Sequence, residues 1–93
     1  ALRLAKAPLA DVLAQAALKE HKRALGEGDA ATLAAMSNLA LLRRGQGRAP
    51  EAETLLRTVL EGRQRALGPD HPDTAASADN LAWVLQDQGR LQE

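Results

Sequence analysis

The chain of 93 residues contains no cysteine, phenylalanine or tyrosine, and a single tryptophan. The absence of cysteine excludes disulfide bonds and thiolate metal sites, and it fits a reducing compartment, so we expect a cytoplasmic protein. The scarcity of aromatic and β-branched residues disfavours β-strands. No apolar run approaches the roughly 20 residues that span a bilayer, so we expect no membrane partner.

The charges balance, with 12 lysines and arginines against 12 aspartates and glutamates. A chain without a cationic surplus is a poor ligand for phosphates, so a nucleic-acid partner is disfavoured. Hydrophobic residues make up 45% of the chain and are mostly alanine and leucine. Such small and unbranched side chains favour helices whose backbones approach closely, and we expect an all-α protein.

The sequence contains an internal repeat. Residues 66–82 read ALGPDHPDTAASADNLA, and the segment that begins 42 residues earlier, 24–40, reads ALGEGDAATLAAMSNLA. The same spacing relates residues 46–48 to residues 88–90, both Gln-Gly-Arg. A fixed period of this size is typical of solenoids, in which each unit stacks on its neighbours. The repeat therefore predicts a binding scaffold.

Apolar residues recur with helical spacing in four segments, which predicts four amphipathic helices. Pro8 and Pro50 are expected in the first turns of the first and third helices, with residues 1–6 as the tail of a preceding helix. Asp29 is expected to cap the second helix, over roughly residues 30–45. Asp70 and Asp73 have the spacing of a capping box for the fourth, which is expected to end near residue 88. The apolar stripe of this last helix comprises Ala75, Ala78, Leu81, Ala82 and Leu85.

The repeated units resemble a known family. Each unit has a small residue at Ala40 or Ala82 and a glycine at the turn, Gly47 or Gly89, and Ala52 follows near the start of the second helix. This pattern resembles the tetratricopeptide repeat. The 42-residue spacing and the segment LGPDHPDTAASADNLAWVLQDQGRLQE make it similar to the kinesin light chain type of that repeat.

The resemblance implies a right-handed superhelical array of antiparallel helix pairs, with about two repeats in this chain. Residues 1–25 would end a preceding repeat, residues 29–67 would form the first full repeat, and residues 70–93 would begin a second, truncated one. The first helix of each pair would line a concave groove that receives an extended peptide or a helix of a partner protein. The groove residues implied by position are Ala34, Ser37, Asn38, Leu41, Arg44, Ala76, Asp79, Asn80, Trp83, Gln86 and Asp87.

Two features of this groove have alternative interpretations. Asn38 and Asn80 could grip a peptide backbone with their amides, or each could bond to a neighbouring helix and fix the stacking angle. Trp83 could anchor an apolar side chain of a partner, or it could pack against the following helix. Arg43 and Leu85 stand where the family usually has an aromatic residue.

The charged clusters also have alternatives. His71 with Asp70 and Asp73 could suggest a metal site, but one imidazole in loop-and-cap spacing favours a structural cap. Since no catalytic motif accompanies it, we expect neither an enzyme nor a cofactor. A basic cluster comprises Arg43, Arg44 and Arg48. It could bind an acidic partner, or its charges could simply be favourable near the negative C-terminal end of a helix, and the sequence leaves this open.

A second hypothesis for function is architectural. The repeats could serve as a spacer or could self-associate through apolar stripes left uncovered at the two ends of the array. These stripes would lie on the Leu13 and Leu18 side at one end and on the Leu81, Leu85 and Leu91 side at the other.

Overall fold

A computed structural model of the chain describes the backbone of residues 2–89 and the side chains of residues 9–89. The helices are α1 (Leu2–Leu25), α2 (Ala30–Gly45), α3 (Ala49–Leu67) and α4 (Pro72–Asp87), and this part of the chain contains no strand. Each helix packs against the next one along the chain. The predicted all-α array of stacked helices is confirmed. None of the described helices is long and apolar enough to cross a membrane.

The turn between α2 and α3 shows why the Gln-Gly-Arg motif repeats. Gly47 has φ +77° and its counterpart Gly89 has φ +73°, a left-handed conformation that costs other residues free energy. The N–H of Arg48 then donates to the carbonyl of Arg43 at 2.8 Å, which closes the end of α2. The glycine thus reverses the chain directly after the helix.

The predicted turn before Pro8 is wrong, because α1 runs without a break from Leu2 to Leu25. The residue 42 positions before Gly47 is Ala5, which does not readily take the left-handed conformation of the turn. Pro8 lacks one backbone N–H, but the helix continues through it. Whether residues 1–25 end a preceding repeat stays a prediction.

The caps of α2 and α4 differ from each other. Asp29 caps α2 as predicted, with its Oδ1 accepting an N–H of the first turn at 2.9 Å. The predicted capping box at Asp70 is wrong: His71 is the cap of α4, and its Nδ1 accepts the N–H of Asp73 at 3.0 Å. The reason is Pro72, which begins the helix and favours an extended backbone in the residue before it.

Two clusters of buried apolar side chains hold the helices together, and both include residues of α2 and α3. One cluster, which also involves α1, comprises Leu18, Leu33, Met36, Leu39 and Val59. The other, which also involves α4, comprises Ala40, Ala52, Leu56, Leu81, Val84 and Leu85. Leu55 packs against both. At Gly62 of α3 a Cβ atom would lie 3.0 Å from the methyl carbons of Leu33, so α2 and α3 approach closely there.

The predicted stripe of α4 is only partly correct. Leu81 and Leu85 are buried, whereas Ala75, Ala78 and Ala82 are exposed. Their counterparts in α2 are Leu33, Met36 and Ala40, which are buried. No helix among the described residues covers the corresponding side of α4.

Two polar residues are buried beside the leucines of α4 at the contact between α3 and α4. Thr74 and Ser77 are buried. Arg63 of α3 donates from Nη1 to Oγ of Ser77 at 2.8 Å, and Oγ1 of Thr74 donates to the carbonyl of Gly68 at 2.8 Å. Buried hydroxyls usually have hydrogen-bond partners, and these bonds satisfy Thr74 and Ser77 on the side of α4 that faces α3.

A buried arginine joins the first three helices. Arg43 of α2 is 9% exposed; its Nε lies 3.1 Å from Oδ1 of Asp11 in α1, and its Nη1 lies 2.7 Å from Oε2 of Glu51 in α3. Arg48 also pairs with Glu51, at 2.5 Å, and its hydrogen bond together with the charge of Arg43 lowers the pKa of Glu51. A buried guanidinium is tolerated only when it is paired in this way.

Replacing Asp11 with alanine should destabilise the fold, because it removes a partner from the buried guanidinium of Arg43. We expect a loss of about 1–3 kcal/mol in the free energy of unfolding, measured by urea denaturation. Asp79→Ala, at an exposed aspartate with no ionic partner in the described chain, is the control and should change stability by less than about 0.5 kcal/mol.

The loss of unfolding free energy caused by Asp11→Ala should be smaller in a protein that also carries Arg43→Leu. Leucine is the residue at the equivalent position of the next repeat, Leu85. An equal loss from Asp11→Ala in both backgrounds would contradict a role for the ion pair.

Candidate functional site

The predicted groove residues lie on the first helix of each pair, α2 and α4. Ten of the eleven are exposed or half-buried, and Ser37 is buried. Six of them lie on one side of each helix at equivalent positions of α2 and α4, and we call these six residues the open face. It comprises Ala34, Asn38 and Leu41 of α2 and Ala76, Asn80 and Trp83 of α4.

Ser37 departs from the prediction, since it is only 8% exposed. It precedes Arg44 by seven residues and therefore lies on the same side of α2. That side approaches α4, because Arg44 contacts Asp87 of α4. Ser37 is thus expected between the helices, and it does not offer its hydroxyl to a ligand.

The two asparagines of the open face occupy equivalent places one repeat apart. Asn38 is exposed and Asn80 is half-buried. Neither side-chain amide makes a hydrogen bond to another residue of the described chain. The structure therefore offers no bond to a neighbouring helix that would explain them as stacking residues.

Arg44 links the two helices of the open face. Its Nε donates to Oδ2 of Asp87 at 2.5 Å and its Nη2 donates to Oδ1 at 3.2 Å, a bidentate pair between α2 and α4. Its Cζ also lies 5.8 Å from the centroid of the Trp83 ring, within the range of a cation–π contact. Arg44 thus braces the helices and holds the indole from one side.

This pair changes the electrostatics of the predicted basic cluster. The hydrogen bond from Arg44, followed by its charge, lowers the pKa of Asp87, and the same bond raises the pKa of Arg44. Arg43 and Arg48 are paired with Asp11 and Glu51. The cluster is therefore neutralised inside the chain, and it offers no uncompensated charge to an acidic partner.

An open depression of about 510 Å³ lies beside Arg44, at the end of the open face. The residues that line it are Leu41, Arg44, Gly45, Gly47, Ala49 and Asp87. Trp83, which Arg44 contacts, is 51% exposed. The surface thus combines an ion pair with apolar side chains that water still reaches.

The pairing of Arg44 with Asp87 was missed from the sequence. The prediction placed both residues in the groove but did not pair them. The sequence does contain a feature that could have predicted the pair: the two residues have opposite charges and are 43 residues apart, one more than the length of the repeat. Such a spacing places two side chains at similar heights on successive equivalent helices.

The sequence profile of the tetratricopeptide repeat matches residues 31–93. The chain belongs to the tetratricopeptide repeat family. The match includes α2, α3 and α4, and with them every residue of the open face. Tetratricopeptide repeats are in general non-catalytic modules of protein–protein interaction. No curated protein sequence matches this tetratricopeptide repeat chain.

Acid titration should reveal the ion pair between Arg44 and Asp87 of this tetratricopeptide repeat chain. Because Arg44 lowers the pKa of Asp87, the pair remains intact down to pH values below the ordinary range of aspartate, and it is lost as the pH falls through the lowered pKa. We expect the carboxyl ¹³C signal of Asp87 to titrate at lower pH than that of an unpaired aspartate. The emission of Trp83 should change over the same pH interval.

Arg44→Gln should return the titration of Asp87 to the ordinary range of aspartate, whereas Arg65→Gln, at an exposed site of α3, should leave it in place. A midpoint of Asp87 that is the same in all three proteins would contradict the pairing in solution.

Proposed function

We propose that the open face binds a segment of a partner protein, either an extended peptide or a helix. The observation that carries the proposal is the pair of asparagines without hydrogen bonds in the described chain, repeated at the same position of α2 and α4. An amide offers both a donor and an acceptor, as a peptide backbone requires. Two such amides at equivalent positions of α2 and α4 suit a segment that crosses both helices.

Trp83 would supply the main apolar contact. It is half exposed although it is the largest side chain of the protein, and Leu41 occupies the equivalent place on α2. Tryptophan is enriched among the residues that dominate binding energy at interfaces. Arg44 restrains the indole in the free protein, so less side-chain entropy would be lost on binding.

The charges beside the open face favour a neutral or basic segment. Arg44 is already paired with Asp87, whereas Asp79 is exposed and has no ionic partner among the described residues. An acidic segment would meet the carboxylate of Asp79 without a compensating cation. This argument disfavours the acidic partner that the arginine cluster alone would suggest.

We also propose that the repeats are of the 42-residue kinesin light chain-like type and act in the cytoplasm. The 42-residue offset between the two copies supports the type, and the absence of cysteine fits the compartment.

The intrinsic fluorescence of Trp83 provides a direct test, because it is the only aromatic residue of the chain. Peptides selected on the 93-residue protein from a display library would be titrated while emission and acrylamide quenching are recorded. Binding at the open face should shift the emission to shorter wavelength and protect the indole from quencher. Selected peptides that bind without changing either signal would contradict the proposal.

Substitutions should then separate the contributions of the two asparagines and of Trp83 to the binding affinity. Asn38→Ala/Asn80→Ala should weaken binding about tenfold or more, and Trp83→Ala about 30-fold, as measured by calorimetry. Gln64→Ala, at an exposed site of α3, is the control and should leave affinity unchanged. Unchanged affinity in the asparagine variant would remove these residues from the mechanism.

Self-association is a second candidate function, favoured by an exposed apolar patch on α1. The patch comprises Leu9, Val12 and Leu13, of which Leu13 is 61% exposed. The predicted stripes themselves need correction, because Leu18, Leu81 and Leu85 are buried within the protein. Leu91 lies outside the described residues.

Light scattering across a range of protein concentrations tests this candidate. If the α1 patch mediates association, the mean mass should rise with concentration, and Leu9→Glu/Leu13→Glu should restore the monomer. Glu61→Gln, on the exposed surface of α3, is the control. A mass equal to one chain at every concentration would exclude self-association as the function.

A further inference from the structure

A second depression lies between α1 and α2, away from the open face. Its volume is about 280 Å³, and its lining residues are Gln15, Leu18, Lys19, Lys22, Leu39 and Arg43. Leu39 and Arg43 lie on the opposite side of α2 from Asn38 and Leu41, because residues four apart share one side of a helix and adjacent residues do not. A ligand could therefore occupy this depression while a segment is bound at the open face.

The depression has an apolar base and a basic rim. Leu18 and Leu39 are buried, whereas Lys19 and Lys22 are exposed. Neither ammonium group has a carboxylate partner among the described residues. The nearest glutamate along α1, Glu20, instead pairs with Arg23.

The other polar groups of the rim are already engaged. Arg43 is paired with Asp11 and Glu51, and Gln15 donates from Nε2 to Oδ2 of Asp11 at 2.9 Å. These contacts cancel the charge of Arg43 and leave the two lysines uncompensated. The rim therefore carries a net positive charge of about two, although the whole chain is neutral.

The basic character belongs to this junction alone and is not required by the repeat. At the same positions one repeat later, Glu61 replaces Lys19, Gln64 replaces Lys22 and Leu85 replaces Arg43. The corresponding junction between α3 and α4 thus has the same helix packing without the cations. Stacking therefore does not require the lysines. Lys22 also lies in the last turn of α1, where a cation is favourable at the negative end of the helix dipole, and this does not account for Lys19 beside it.

We propose that this depression binds a carboxylate attached to an aliphatic chain. The aliphatic part would lie on Leu18 and Leu39, and the carboxylate would meet the ammonium groups of Lys19 and Lys22 as charge-assisted hydrogen-bond acceptor. The volume is at the lower end of ligand sites, so it suits a short chain. Two sources share this chemistry: a medium-chain fatty acid, and a peptide whose last residue is leucine with a free C-terminal carboxylate.

The two sources are distinguished by titrating the ¹⁵N-labelled protein with octanoate and with a tetrapeptide that ends in leucine, and recording amide shifts. Octanol and the C-terminally amidated peptide are the matched neutral probes. We expect shifts at the residues that line the depression, about tenfold tighter binding of a carboxylate than of its neutral counterpart, and weakening with added salt. The source is the one whose carboxylate saturates these shifts at the lower concentration.

Matched variants test the role of the lysines. Lys19→Gln/Lys22→Gln should weaken carboxylate binding about tenfold, and since both side chains are exposed the fold should remain intact by circular dichroism. Arg65→Gln removes a cation from exposed α3 and should have no effect. The proposal is overturned if neutral probes bind as well as carboxylates, if the double variant binds normally, or if the shifts fall on the open face.

Discussion

The close approach of α2 to α3 is the constraint on which the rest of the structure depends. A chain with one aromatic residue cannot fill wide gaps, so its core requires helices that touch nearly backbone to backbone. Ala40 and Ala52 are fully buried where the two helices meet, and Gly62 leaves room for Leu33. This central pair then presents one side to α1 and another to α4, and the open face consists of residues of α2 and α4 that no helix of the described chain covers.

The repeat made much of this arrangement predictable. The copy at residues 24–40 and its partner 42 residues later placed the helices, and α2 was predicted at its observed bounds with Asp29 as its cap. The errors arose where local signals compete. Pro72 moved the cap of α4 to His71, and the chain lacks the glycine that would have made a turn before Pro8.

The helical spacing of apolar residues did not predict which side of α4 is buried, because several residues of the predicted stripe are alanines. Ala75 and Thr74 differ little in hydrophobic driving force, so the helical spacing of the alanines did not identify the buried side of α4. That side carries Leu81, Val84 and Leu85, and the hydroxyls of Thr74 and Ser77 are buried with them and hydrogen-bonded. The same limit applies to the candidate site. Its positions followed from the repeat, but the pairing of Arg44 with Asp87 depends on how two helices are rotated against each other.

That pairing also bears on the shape of any longer assembly of such hairpins. Arg44 and Asp87 join one hairpin to the next near the C-terminal ends of α2 and α4, at the edge of the hydrophobic cluster that contains Leu85. Successive hairpins add their rotations, so a few degrees at one joint displace a distant end of the superhelix by many ångströms. We therefore expect that exchanging this charged pair would alter pitch and curvature, together with the contacts between α4 and the helices beside it.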